Sequence, residues 1–480
     1  MKNIYKKIYS VLLILILILL AACGNGNVGN KGENTELNTE TAVQNETMQS
    51  DYSDLPDIKF EGREFMILYP SYKKGNLYLT SESENGEILN DASFRRNLDV
   101  EERFDISIKE LVGNDDISKD MLKFVMSGDD SVDLLISHPR LGVSSLITEG
   151  LLYNWFDLKY IDLSKPCWNK DIQTSFLVSD KLFYSNGDLT VMDPGILVLT
   201  FNKEMAENLK RENPYNYVFN GAWTIDRLME YTKDVYNDVN GDGNRDNGDI
   251  YGYINDENEY QYLYTSGLKV TQPDAEGRQA LSLLGERLTT LVDKMNVFLH
   301  GNDTLLARNS DARQLFMNGR GLIGMYEFAF WPQFRDIEFE FGILPLPKFD
   351  EAQERHCVFT GLGLTGVPSN VKDPDNTSII IQAFMEESYR YMRPAYLDVV
   401  LYVKCLRDEE SQKMMELILN NRSYDFGYTF GVEDYSKRME QIISNVVTKN
   451  KSTDIMSYYE KYSALAQANY DKIFEYCTQQ

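Results

Sequence analysis

The chain has 480 residues and a formal net charge of −26, a balance that disfavours nucleic acid or anionic lipid as a partner. Its hydrophobic content of 43% and aromatic content of 12% can fill more than one core, so two or more packed units are expected at this length. Three His and five Cys, with no HExxH or CxxC spacing, give no basis for a catalytic zinc centre.

In chain order, Lys2, Lys6 and Lys7 precede ten apolar residues at 11–20. Such a core is too short for a permanent membrane span and has the length of a secretory signal. Leu20-Ala21-Ala22-Cys23 then resembles a bacterial lipobox. That resemblance implies a lipoprotein signal peptide over 1–22, cut before Cys23, whose thiol carries a diacylglycerol. Acyl chains hold a protein to a bilayer by about 0.8 kcal/mol per buried methylene. The same residues also fit a buried apolar helix with an incidental Cys. Residues 23–54 are rich in Gly, Asn, Glu and Thr; they bury too little surface to offset ordering entropy and should form a flexible tether. No later stretch reaches membrane-spanning length.

The body of the chain alternates strand and helix patterns, which favours an α/β fold with helices on both faces of mixed or parallel sheets. Strands are expected at Glu64–Tyr69, Ile106–Glu110, Asp133–Ile136, Ile196–Phe201, Leu322–Met325 and Phe339–Leu344. Helices are expected at Glu87–Phe104, Asp120–Met126, Trp223–Tyr236 with Thr224 as its N-cap, Thr377–Tyr391 and Asp408–Asn420. Pro345-Leu-Pro347 makes a stiff connection out of the last strand. Cys167, Cys357, Cys405 and Cys477 are far apart. They allow two disulfides in an exported protein, or buried thiols in a core that needs no staples.

The sharpest local motif is Asp238-Val-Asn240-Gly-Asp242-Gly243-Asn244-Arg-Asp246-Asn-Gly-Asp249. Oxygen side chains fall at loop positions 1, 3, 5, 9 and 12 with Gly at 6, the spacing of an EF-hand calcium loop with Asp for Glu at the last position. Asn244 would give its backbone carbonyl, and a structural Ca2+ clipping the loop is expected. The preceding Trp223–Tyr236 helix suits an EF-hand, while Ile250–Ile254 looks like a strand in place of the exit helix. A solvated acidic turn is the other reading.

The order of features is similar to the extracellular solute-binding lipoproteins of ABC importers, the family-1 group that includes maltose-binding protein. The likeness rests on Val132-Asp-Leu-Leu-Ile136 with Leu146–Leu152, Leu199-Thr-Phe-Asn-Lys203, Ala222-Trp-Thr-Ile-Asp-Arg-Leu228, Phe316–Met325 and Gly342-Ile-Leu-Pro-Leu-Pro347. A narrower likeness to a Gram-positive subgroup rests on Asn85–Phe104, Leu163–Asn169 and Glu386–Tyr396 with Arg407–Ser411. That subgroup often has two Trp where this chain has Cys167-Trp168, so a ligand role for Trp168 is in doubt.

The resemblance implies a two-lobed periplasmic-binding-protein-like (type II) fold with crossover hinge strands, closing on a solute by a hinge motion. Lobe one would take 56–193 and 347–395, lobe two 196–345, and 396–480 would form C-terminal helices packed on both. It places the ligand among Tyr69, Ser71, Tyr72, Ser137, His138, Arg140, Asp193, Gly195, Glu327, Phe328 and Trp331. Sugars have apolar faces and hydroxyl rims, so Trp331 suits a stacking platform, though it equally suits a packed helix start. Arg140 could grip a hydroxyl or carboxylate, or form an ion pair, and His138 could be solvated. Trp155 and Trp223 read as core.

The expected function is therefore non-catalytic: a lipid-anchored, monomeric receptor on the outer face of the cytoplasmic membrane. It would capture a small solute, a carbohydrate by family, for ABC permease subunits. Rival readings are a ligand-sensing lipoprotein partnering a membrane kinase, a secreted glycoside hydrolase and a calcium-dependent adhesin.

Overall fold

A computed structural model describes residues 54–479 except 75–76, 191–195, 257, 308, 328–333, 335–336, 361–362, 403–407 and 432–436. The signal, Cys23 and the tether up to residue 53 lie outside the described residues, as do Asp193, Gly195, Phe328, Trp331 and Cys405.

Two larger sheets organise the body. The first contains β1 (Arg63–Pro70), β2 (Ile106–Gly113), β3 (Leu134–Ser137) and β12 (Leu364–Gly366), in the order β12-β3-β1-β2. β1 runs parallel to both neighbours, with Ile67 beside Leu134 and Tyr69 beside Val112, while β12 is antiparallel. Phe65, Ile67, Leu68 and Tyr69 are all buried, the continuous apolar run of a strand covered on both faces. The second contains β4 (Leu197–Asn202), β5 (Tyr251–Asp256), β8 (Thr304–Ala307), β9 (Gly321–Glu327) and β10 (Phe341–Leu344), in the order β10-β4-β9-β5-β8. Parallel β5 pairs sit beside antiparallel β4 pairs. Gly252 has a reason to be glycine: a Cβ there would lie 1.9 Å from the Thr232 carbonyl oxygen.

Two small pairs complete the strands: β6 (Thr271–Pro273) with β7 (Gln279–Leu281), and β11 (Val358–Phe359) with β13 (Arg422–Ser423). The β6–β7 hairpin, which falls by number within the second expected lobe, bonds outside the second sheet. Ser179 donates its N–H to Gly277 O, and the Gln279 amide donates to Leu177 O. Val270 donates its N–H to Asp425, and Leu281 donates to Gln467 of the last helix, Ile455–Gln479. That helix also packs on the helix Val143–Thr148.

Helix ends follow side-chain chemistry. The Glu87 carboxylate caps Ile88–Phe104 by accepting the N–H groups of Leu89 and Asn90. Thr224 caps the helix predicted at Trp223–Tyr236 as expected, but that helix ends at Thr232 rather than Tyr236. The Asp303 carboxylate takes the N–H groups of Asp234, Val235 and Tyr236, which a continuing helix would need. The helix predicted at Thr377–Tyr391 starts earlier, at Pro374 under an Asp373 cap. At Ser388–Met392 it widens into a π turn.

Trp155 and Trp223 are core, as their sequence context indicates. Trp168 is core too: it meets Trp155 edge-on at 5.3 Å and donates its indole N–H to Gln382. Cys167, Cys357 and Cys477 are free thiols. Among the described residues no helix is long and apolar enough to cross a membrane.

Candidate functional site: the strand ends

Of the residues singled out from the sequence, the described ones sit where β1, β3 and β9 end, and the structure divides them. Tyr69 is buried and donates its hydroxyl to Glu110 at 2.8 Å, so it braces β1 against β2. Burial and that carboxylate push its phenol well above the ordinary range. Ser71 Oγ and the Tyr72 N–H both donate to Asp115, fixing the turn after β1. The Tyr72 ring then meets the His138 ring edge-on at 5.2 Å. Ser137 is buried at the end of β3. Glu327 is half-buried at the end of β9.

Arg140 turns inward. Its guanidinium donates to Glu440 Oε1 at 2.5 Å and lies 4.1 Å over the Tyr428 ring. Burial penalises the charged form, but Glu440 overrides that penalty and holds the guanidinium above its usual pKa. Of the readings open for Arg140, an ion pair is realised, and it is buried rather than at the surface: the two side chains are 16% and 1% exposed. Arg140 Nε has no partner.

Tyr428 also connects to the second sheet. It stacks on Tyr260, just beyond β5, and meets Tyr264 and Phe359 edge-on at 6.1 and 4.5 Å. Tyr264 and Phe359 stack at 4.0 Å. The ends of β3 and β5 thus meet on one aromatic cluster built on C-terminal residues. Buried oxygens without partners lie in the same segments: Asn255 Oδ1 at the end of β5, the Tyr264 hydroxyl, and Thr360 Oγ1 beside Phe359. Buried polar atoms in native folds are rarely left unsatisfied without a ligand, water or function. Tyr260, Tyr264, Tyr428 and Glu440 were not singled out from the sequence. The signal available was aromatic density in Tyr260-Gln-Tyr-Leu-Tyr264 and Tyr424–Phe430, without a motif to link them.

The acidic loop is a separate feature. Asp238 accepts the N–H groups of Gly241 and Gly243, Asn240 that of Asp242, and Asp242 that of Asn244. Asp246 accepts the N–H of Gly248, and buried Asp249 accepts the Tyr236 hydroxyl and the Val239 N–H. Gly241 and Gly243 take positive φ, which lets a short loop turn its oxygens inward. Arg245 points away, onto the carbonyls of Gly301, Asn302 and Thr304. The entering EF-hand helix expected from the sequence is absent here, because it stops at Thr232; the loop is closed by an antiparallel bridge between Asn237 and Ile250. Among the described residues no three His, Cys, Asp or Glu side chains converge to hold a metal ion.

No protein-family profile matches the chain, and no curated protein does. Solved structures do match. The galacto-N-biose/lacto-N-biose I-binding protein of an ABC transporter from Bifidobacterium longum, in complex with lacto-N-biose, is 14% identical, with a TM-score of 0.58 over 86% of this chain and 98% of its own. A cyclo/maltodextrin-binding protein complexed with maltotetraose is 14% identical, with a TM-score of 0.52 over 88% and 99%. The GacH receptor of Streptomyces glaucescens, solved unliganded and with acarbose, is 12% identical, with a TM-score of 0.51 over 86% and 99%. This chain has the two-lobed α/β fold of those proteins.

Proposed function

We propose that this chain is a solute receptor of an ABC importer and that it captures a carbohydrate between the two sheets without altering it. The carrying observation is a fold shared with sugar-binding receptors, in which an aromatic cluster and unsatisfied buried oxygens occur in the segments following β3, β5 and β11. Aromatic rings suit the apolar faces of a sugar, and orphan oxygens suit its hydroxyls. Within this reading the lipobox at Cys23 anchors the receptor to the outer face of the membrane, and the tether lets a monomer reach its permease subunits. Asp193, Gly195, Glu327, Phe328 and Trp331 remain proposed ligand contacts.

The test is titration with neutral mono- and oligosaccharides followed by intrinsic fluorescence and solution scattering. At least one sugar should shift the Trp emission and reduce the radius of gyration, as hinge closure demands. A full panel that changes neither would remove this reading.

We further propose that the 238–249 loop holds one structural Ca2+. The donor set is hard oxygen throughout, with Asp238, Asn240, Asp242, Asp246 and Asp249 as side-chain donors and Asn244 through its carbonyl. A bound ion would neutralise carboxylates that otherwise repel one another. Calcium at 100 times its Kd should add about 2.7 kcal/mol to stability. Chelator should therefore lower the melting temperature and added calcium restore it; identical melts with and without chelator would refute the site.

A further inference from the structure

A cavity of about 390 Å³ opens among residues 166–171, 187–188, Arg355, Arg393 and the turn at 419–422. Lys170, Asp171, Asp188, Arg355, Arg393 and Arg422 line it, and Tyr69, Tyr72, His138 and Arg140 do not. Four cationic side chains against two acidic ones make it a positive pocket in a chain of net charge −26.

The cations are only loosely matched by the protein's own carboxylates. Arg393 reaches Asp188 Oδ1 at 3.7 Å and Arg355 reaches Asp171 Oδ1 at 3.8 Å, both too long for a hydrogen bond. Asp171 is already engaged by the Tyr424 N–H at 2.7 Å. Arg422 gives its Nε–H to Leu419 O, and Arg393 reaches Asn420 at 3.4 Å. Guanidinium N–H groups therefore remain for a planar or tetrahedral oxyanion.

Asp188 sets a second condition. It is 2% exposed, and its Oδ2 has no hydrogen-bond partner. Burial lifts its carboxyl to about 6 against the pull of Arg393 and Arg422, and its unpaired Oδ2 is an acceptor that lacks a donor. An oxyanion without a proton would set lone pairs against it. A neutral sugar would leave the guanidinium charges uncompensated.

We propose that this cavity binds an oxyanion that also carries a hydroxyl proton: the arginines take the anionic oxygens and Asp188 accepts the hydroxyl. Acidic sugars and hydrogen phosphate share that chemistry. The site is independent of the sugar reading above.

Calorimetry of the purified protein at pH 7.5 against D-glucuronate, hydrogen phosphate, sulfate and D-glucose tests it. Glucuronate, hydrogen phosphate or both should bind, and the tighter of the two identifies the source. Sulfate, which has no proton to offer, should bind at least about tenfold more weakly, since a site built around a hydrogen bond rejects the analogue that lacks it. Arg393→Gln and Arg422→Gln should each weaken the anion by a similar factor, and Asp188→Asn should admit sulfate. Failure of both hydroxylated anions to bind, sulfate binding as tightly as phosphate, or binding that survives both arginine substitutions would overturn the proposal. The sulfate comparison needs no variant, so it stands even if a substituted protein fails to fold.

Discussion

Replacing Glu440 with alanine is expected to destabilise the fold by about 3–5 kcal/mol, the cost of stranding a buried charge. Arg140 is held by Glu440 and by the Tyr428 face, with 16% of its side chain exposed. With Glu440 gone, the guanidinium keeps its desolvation penalty and loses the carboxylate that offsets it. The double variant Arg140→Met, Glu440→Met should recover most of the loss, because apolar pairs of similar volume replace buried ion pairs at little net cost. Urea denaturation of the wild type, Arg140→Met, Glu440→Met and the double variant closes the cycle. A single Glu440→Ala cost below about 1 kcal/mol would mean the pair behaves as a surface salt bridge.

The second large effect is expected at Trp223. It is fully buried, meets Tyr231 edge-on at 6.2 Å and donates its indole N–H to Pro345 O at 2.9 Å. Its own carbonyl accepts the Lys348 N–H, and Lys348 O accepts the Ile225 N–H. One residue thus fills part of the main core and pins the Pro345–Lys348 connection. Trp223→Ala should cost about 3–5 kcal/mol, the range for emptying a large aromatic site. Trp223→Phe should cost less, mainly the orphaned Pro345 carbonyl at about 1–3 kcal/mol. Equal losses for the two variants in thermal or urea melts would show that volume is not what Trp223 supplies.

Most of the two large sheets was legible, because their strands are short apolar runs bounded by polar turns. Glu64–Tyr69 and Ile196–Phe201 appear as β1 and β4 within a residue or two at each end. Local chemistry also gave the Thr224 cap. What escaped depended on partners distant in the chain. The amphipathic pattern of 223–236 runs on past Thr232, and only Asp303, about 70 residues later, ends the helix. The β6–β7 hairpin is short and polar, and it is held by Gln467 and Asp425 rather than by its own pattern. At the candidate site, the resemblance implied one ligand set that includes Tyr72 and His138, and the two rings meet. It could not reveal that Arg140 would pair with a residue 300 positions away.

The hairpin has a practical corollary for anyone dissecting the molecule. Residues 268–282 leave the second sheet's stretch of sequence and bond to 175–179, 425 and 467. A fragment cut at the two crossings, residues 196–345, would carry this arm with its hydrogen-bonding partners missing. Its strands would expose Val270 and Leu281 edges to any neighbour, so such a fragment should aggregate where the intact chain does not. Swapping ligand specificity by exchanging contiguous halves with another receptor would meet the same obstacle, whereas grafts that keep the arm with its C-terminal docking helix would not.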